Sequence, residues 1–332
     1  MEELVNLASE VQLSSAYDVS NRHPRFSQYK VKKKMTSQIE RRQKFLESIK
    51  QHRYDYMNHA RKLAENTWSS ESEDDDEMDW SSEVKKPSRF YKNQLMLSEW
   101  LVEVPEDLLN EWLLVLCPVG KRSLIITSHG ETKVYTKKGF LLNKFSSHLP
   151  GGNRRQKFNS SEYTILDCIY NTENKTYYIL DVMCWRGHPV FDSETEFRFY
   201  WLKCKTDEVP EIQVKSTLNP FRFIPLLSYS CSYDSIHKVV NSPLPFECQL
   251  DGLLFYHKRT IYTGGVTPLV GWLKAYMLPE ILNISVPEDL CADRPKSYSS
   301  MRNHLSIAFA KHEKRKQEDE KLLNEIEEDM VT

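Results

Sequence analysis

The chain reverses its charge near the N-terminus, and this limits where a hydrophobic core can form. Residues 22–62 carry thirteen Lys and Arg against Glu40, Glu47 and Asp55, whereas residues 63–84 carry nine acidic residues and no basic one. Apolar and aromatic residues concentrate instead between Tyr91 and Val286. That distribution predicts one globular domain of about 200 residues with polar extensions at both ends. The formal net charge of -2 conceals this pattern because the two blocks cancel in the sum. The sequence accordingly divides into an N-terminal segment (1–20), a basic arm and helix (21–66), an acidic flexible linker (67–88), a folded domain (89–290) and a charged tail (291–332).

Ser37-Gln38-Ile39-Glu40 has the form of a capping box, in which hydroxyl and carboxylate each take up an amide left free at a helix start. A helix from Gln38 to Glu65 is predicted. Ile39, Phe45, Leu46, Ile49, Tyr56, Ala60 and Leu63 form a narrow stripe, with cations on the other faces. Such a stripe suits a partner's groove better than a domain core. Arg25, Arg41, Arg42, Lys44, Arg53, Arg61 and Lys62 repel one another in isolation, and an acidic partner, either nucleic acid or an acidic protein groove, relieves that repulsion. Glu71 to Asp79 has too little apolar content to fold. Upstream, Leu4, Leu7, Val11 and Leu13 stand at gaps of three, four and two residues, the form of a leucine-rich export signal that drops four side chains into a receptor groove.

The seven cysteines form no Cys-x-x-Cys pair and no histidine stands at zinc-ligand spacing, so no metal site or cofactor is expected and a reducing compartment is. The longest aliphatic run, Trp112–Cys117, is too short to cross a membrane, and the first twenty residues lack a signal peptide's pattern.

Strand-like runs occupy Trp112–Cys117, Leu124–Ser128, Lys133–Thr136, Thr164–Asn171, Lys175–Cys184, Arg222–Leu226 and Gly252–His257, with hairpin links at His129-Gly130 and Asn171–Asn174. Helical patterns fall at Asn93–Val102, at Ser193–Lys205 behind a second capping box (Ser193/Glu196), and at Tyr233–Val240. The predicted class is α+β with a mainly antiparallel sheet. No Gly-rich phosphate loop, Gly-x-Ser-x-Gly elbow or His-Glu-x-x-His motif is present. What the domain does carry is cations (Gly120-Lys121-Arg122, Lys137-Lys138, Asn153-Arg154-Arg155) together with tryptophans. Lys and Arg neutralise phosphates while an indole stacks on a base, more strongly when the base is cationic, as N7-methylated guanine is. Trp112 and Trp201 lie in apolar periodic segments and read as core, whereas Trp272 follows a loop and is the better stacking candidate.

The blocks Asn93–Trp100, Cys117-Pro118-Val119-Gly120-Lys121-Arg122, Leu149–Arg155, Asp181–Pro189, Asp251–Lys258 and Thr267–Leu273 together resemble the snurportin family, in order, from residue 1 to about residue 290. The resemblance implies a non-enzymatic nuclear import adaptor. It would bind the 2,2,7-trimethylguanosine cap of spliceosomal small nuclear RNPs, pass to importin-beta through the basic arm and be recycled between nucleus and cytoplasm by an exportin. By the same resemblance Trp272 stacks on the methylated guanine, Leu97, Ser98 and Trp100 read its edge, Arg122 and Lys137 face the triphosphate, and Cys117, Gly120 and Lys121 lie nearby. The family's fold is similar to the nucleotidyltransferase domain of RNA capping enzymes and ligases, whose Lys-x-Asp-Gly-x-Arg motif supplies a lysine nucleophile. Here Cys117 stands in the nucleophile's place and Val119 replaces the acid, while Gly120 and Arg122 are kept. The alternative is an active guanylyltransferase or ligase with Lys121 as a displaced nucleophile. His312 to Asp329 is expected to be a solvated helix or disorder.

Overall fold

The computed structural model describes residues 37–51, 56–65, 91–154, 162–307 and 310. Leu4, Leu7, Val11, Leu13, Arg25, Arg53, the acidic linker and the segment His312–Asp329 lie outside the described residues.

Two sheets form the domain. The first has strand order β1-β12-β11-β2-β10, from β1 (Met96–Trp100), β2 (Trp112–Pro118), β10 (Ser228–Ser230), β11 (Leu250–His257) and β12 (Gly265–Leu273). The second has the order β5-β4-β3-β6-β7-β8, from β3 (Lys121–Ser128), β4 (Glu131–Thr136), β5 (Leu141–Phe145), β6 (Thr164–Asn171), β7 (Thr176–Trp185) and β8 (His188–Pro189), with β9 (Arg222–Pro225) also on β7. All pairings are antiparallel except β1 with β12 and β7 with β9. The class is therefore α+β with mainly antiparallel sheets, as the strand-like runs and hairpin links predict. β3 and β4 turn at His129-Gly130, both with positive φ (51° and 75°), the geometry a two-residue hairpin needs.

The predicted helix at Asn93–Val102 is not formed; β1 occupies that stretch. Its backbone pairs with β12 and its buried Met96 joins the main core, so tertiary pairing overrides the local helical pattern. The helix after Ser193 runs Thr195–Asp207 (α4), capped by Glu194 with no side-chain bond; Ser193 instead gives its carbonyl to Arg198 Nη1 at 2.6 Å. Helices at Leu108–Glu111 (α3), Tyr233–Val240 (α5) and Leu278–Ile281 (α6) complete the domain. Met301 and Leu305 are buried in the same core, so packing continues beyond residue 290.

The basic segment is helical at Gln38–Gln51 (α1) and Tyr56–Glu65 (α2), and Ser37 Oγ accepts from the Glu40 amide at 3.1 Å as the capping box requires. The expectation that its apolar stripe stays free for a partner does not hold for the described residues. Ala60, Leu63 and Ala64 lie in the main core, and Gln38 and Arg42 are buried against the first sheet. Arg41 forms a two-pronged ion pair with the buried Glu99, and Gln38 Nε2 reaches Glu99 (3.1 Å) and the Trp100 carbonyl (2.9 Å). Arg42 donates to the carbonyls of Pro268 (3.2 Å) and Glu103 (2.9 Å). The Pro268 carbonyl falls where β12 inserts extra residues opposite Ser98 and Glu99, so α1 supplies the partner that the broken ladder lacks. No helix among the described residues is long and apolar enough to cross a membrane.

Candidate functional site

Both sheets contribute to a cavity of about 180 Å³ at their junction. The first sheet supplies Leu97, Ser98, Cys117, Pro118, Asp251, Leu254 and Trp272, the second supplies Arg122 and Ile169, and Gly120 and Lys137 come from the β2–β3 link and the turn after β4. The structure thus brings together seven residues that the sequence marked: Leu97, Ser98, Cys117, Gly120, Arg122, Lys137 and Trp272. Trp100 is not among them. The register jump between Ser98 and Glu99 breaks the strand's alternation, and the Trp100 indole packs edge-on against His304 with ring centroids 5.7 Å apart. Lys121 is exposed at the start of β3, beside the cavity but not in its wall.

Trp272 is half-buried and pairs with Leu254 across the β11–β12 ladder. A Cβ at Gly252 would stand 2.5 Å from the indole Cζ2, so the bare backbone there is what lets the ring lie against β11. Gly120 answers a second need for space, because a Cβ on it would approach the Tyr170 carbonyl to 2.6 Å where the chain crosses from β2 to β3.

Arg122 is the centre of a buried network. Its Nε pairs with Asp167, and Nη2 reaches Asp167 Oδ2 at 2.7 Å and the Met96 carbonyl at 3.0 Å. Tyr262 donates to Asp167 at 2.7 Å and accepts from the Met96 amide at 3.0 Å. Burial opposes the charge on Arg122, but the Asp167 carboxylate outweighs it and holds the guanidinium well above its ordinary pKa. Two of three guanidinium nitrogens are therefore committed to the fold, and Nη1 remains the one able to meet a ligand anion. Lys137 is pushed below its usual value by burial and by the Arg122 cation, a repulsion that an anion between them would relieve.

Asp251, also in the lining, accepts from Lys274 Nζ at 2.6 Å, and Lys274 also reaches Asp293 at 3.0 Å, so the Asp251 charge is met by a lysine. Sequence reading gave Asp251 no role, because only the pairing of β11 with β2 and β12 carries it into the wall. Ile169 and Leu254 were missed for the same reason, each being one apolar residue in a strand of apolar residues.

Of the basic residues in the arm, Lys44, Arg61 and Lys62 are exposed, whereas Arg41 and Arg42 are drawn against the domain. Burial pushes the Arg42 guanidinium down to about 10, partly offset by Glu99 and Glu103, so it stays cationic at neutral pH. A larger hollow of about 470 Å³ lies between these helices and Tyr262–Gly264, lined by Phe45, Ile49, His59 and Phe191. Among the described residues its lining includes no Lys or Arg, and burial holds His59 below its ordinary value. Among the described residues no cluster of three or more His, Cys, Asp or Glu is able to hold a metal.

A family model described as the snurportin m3G cap-binding domain matches residues 94–275, more than half of the chain, and a second snurportin model matches residues 23–62. The chain belongs to the snurportin family. The matched snurportin domain contains every strand that walls the cavity, and the second match contains α1 and most of α2. Similar solved structures include the ligase domain of LigD from M. tuberculosis (11% identity, 54% of this chain and 58% of that one, TM-score 0.35) and a Lig E DNA ligase (12% identity, 54% and 67%, TM-score 0.33). This chain spans less than two thirds of the LigD ligase domain.

Cys117 is buried, with Sγ 3.9 Å from the Val115 carbonyl. Burial pushes its thiol up to about 12. Thiolate is the reactive form and is absent well below that value. Alkylation of Cys117 in the native protein, followed by peptide mass spectrometry, should be negligible near about pH 7 and still be rising with pH at about pH 10 without reaching a plateau, whereas an ordinary thiol levels off above its pKa near about 8.5.

Proposed function

We propose that this protein is a non-enzymatic adaptor for nuclear import, which binds the trimethylguanosine cap of small nuclear RNPs in the cavity beneath Trp272. The observation that carries this reading is the lining of the cavity, which combines the Trp272 indole with Lys137 and Nη1 of Arg122. A methylated cap has a cationic base and an anionic triphosphate. The indole face favours the cationic base, and the two basic groups favour the phosphates. Leu97, Ser98 and Leu254 close the remaining walls. No covalent step is assigned, because the buried Cys117 thiol replaces the lysine that nucleotidyl transfer requires.

The basic arm serves importin-beta in this reading, with Lys44, Arg61 and Lys62 facing solvent and Arg41 and Arg42 reached only when α1 leaves Glu99. The Leu4–Leu13 segment engages an exportin, and the protein shuttles between cytoplasm and nucleus.

Titration with a trimethylguanosine cap dinucleotide should quench tryptophan fluorescence. Trp272→Ala should abolish the quench and weaken binding by about tenfold or more, in line with ~1–3 kcal/mol per stacked base; unchanged affinity would remove Trp272 from the site. A peptide of residues 22–65 should bind importin-beta at least about tenfold more tightly than the full chain, because the docked helix must first be released. Equal affinity would mean that docking does not compete with importin.

A further inference from the structure

A cavity of about 180 Å³ is at the scale of one nucleobase, well under the roughly 300–1,000 Å³ of a site for a drug-sized ligand, so the chain attached to a bound cap has to leave through its mouth. One surface there has the composition to receive it. Ser123 of β3 pairs with Thr136 of β4, so Lys121, two residues before, and Lys138, two residues after, emerge at the same end of the sheet. Lys137, next to Lys138, lines the cavity itself. All three lysines are exposed, and none belongs to an ion pair among the described residues.

The turn that follows is tightly fixed. Gly139 donates to the Thr136 carbonyl (2.9 Å), the Phe140 amide donates to Thr136 Oγ1 (3.0 Å), and Thr136 donates to the Phe140 carbonyl (2.8 Å). This turn holds Phe140 beside the lysines with 36% of its surface exposed, followed by Leu141 at 46% and Leu142 at 56% on the edge strand β5. A run of exposed apolar side chains is costly in water unless something covers it. Unpaired cations flanking an exposed aromatic ring are what a single-stranded nucleic acid needs, phosphates on the cations and a base on the ring.

We propose that the Lys137–Phe140 turn, with Lys121, is a second subsite that takes the nucleotides following the cap: Lys121 and Lys138 hold phosphates, and Phe140 stacks on an unpaired base. The subsite rests on the cap reading of the adjoining cavity. It is indifferent to base sequence, since neither phosphate pairing nor stacking reads a base edge. It also gives the protein a means to prefer capped RNA over a free cap nucleotide.

The test compares two ligands on the full chain: a trimethylguanosine cap dinucleotide, and the same cap on an unstructured ribo-oligonucleotide of about eight residues, within the ~4–16 nucleotides that such surfaces span. The oligonucleotide should bind about tenfold more tightly, with a steeper loss of affinity as salt rises. Lys138→Glu combined with Phe140→Ser should erase that gain and leave the dinucleotide affinity unchanged, which also reports that the variant is folded. Equal affinity of the unaltered protein for both ligands would overturn the subsite, as would a variant that keeps the gain, and either result would leave the patch to a protein surface. Failure of the dinucleotide itself to bind would overturn the cap reading and the subsite with it.

Discussion

A guanidinium and a carboxylate buried at the seam between two sheets fix the shape of the cleft. Arg122 on β3 and Asp167 on β6 belong to the second sheet, yet Arg122 also holds the Met96 carbonyl of β1, and Tyr262 ties the Met96 amide back to Asp167. One residue at the edge of the first sheet is thus tied to the second sheet twice, directly through its carbonyl and by way of Tyr262 through its amide. A buried ion pair contributes little net stability, because desolvation offsets most of the attraction, but it penalises every arrangement that leaves either charge alone. The strand so placed carries Leu97 and Ser98 into the cavity wall. The cavity is therefore a junction, and its residues are adjacent only while the seam holds.

The basic arm repeats this logic from outside. Glu99 is buried one residue beyond Ser98, and α1 supplies its counter-charge through Arg41 while Arg42 completes the broken ladder at Pro268. The same strand that walls the cavity is thereby clamped by the helix that the proposed carrier would take. A partner that removes α1 leaves a carboxylate beside the cavity without its cation. Two of the cations that looked like a hook for an external acidic surface, Arg41 and Arg42, are already taken up by the domain.

Much of the domain was legible because its central strands are buried on both faces and so read as continuous β-branched and aromatic runs, and turns such as His129-Gly130 punctuate them. The failures share a cause, which is that long-range pairing leaves no local trace. β1 lies in a stretch whose spacing is helical, and only its ladder with β12 makes it a strand. Trp100 follows Leu97 and Ser98 closely in sequence but parts from them at a register jump that nothing local announces. Arg122 was legible as a functional cation, yet its commitment to Asp167 was not, since the two residues are 45 positions apart. Asp251 and Gly252 were visible as a motif, but that they reach the cavity lining and the indole follows only from β11 lying beside β12. The basic helix was legible as a helix and misread as free, because a narrow apolar stripe does not say whether its groove belongs to another molecule or to the same chain.

The central claim is that the cleft at the sheet junction accepts a cationic base against Trp272 and an anionic phosphate chain against Lys137 and Arg122. A structure of the full chain with a trimethylguanosine cap dinucleotide tests this directly. The methylated base should lie on the Trp272 indole, with the phosphates toward Lys137 and Nη1 of Arg122 and the Arg122–Asp167 pair intact. A cap seated in the apolar hollow beneath α1 and α2, or a base standing off Trp272 with its phosphates toward Asp251, would contradict it.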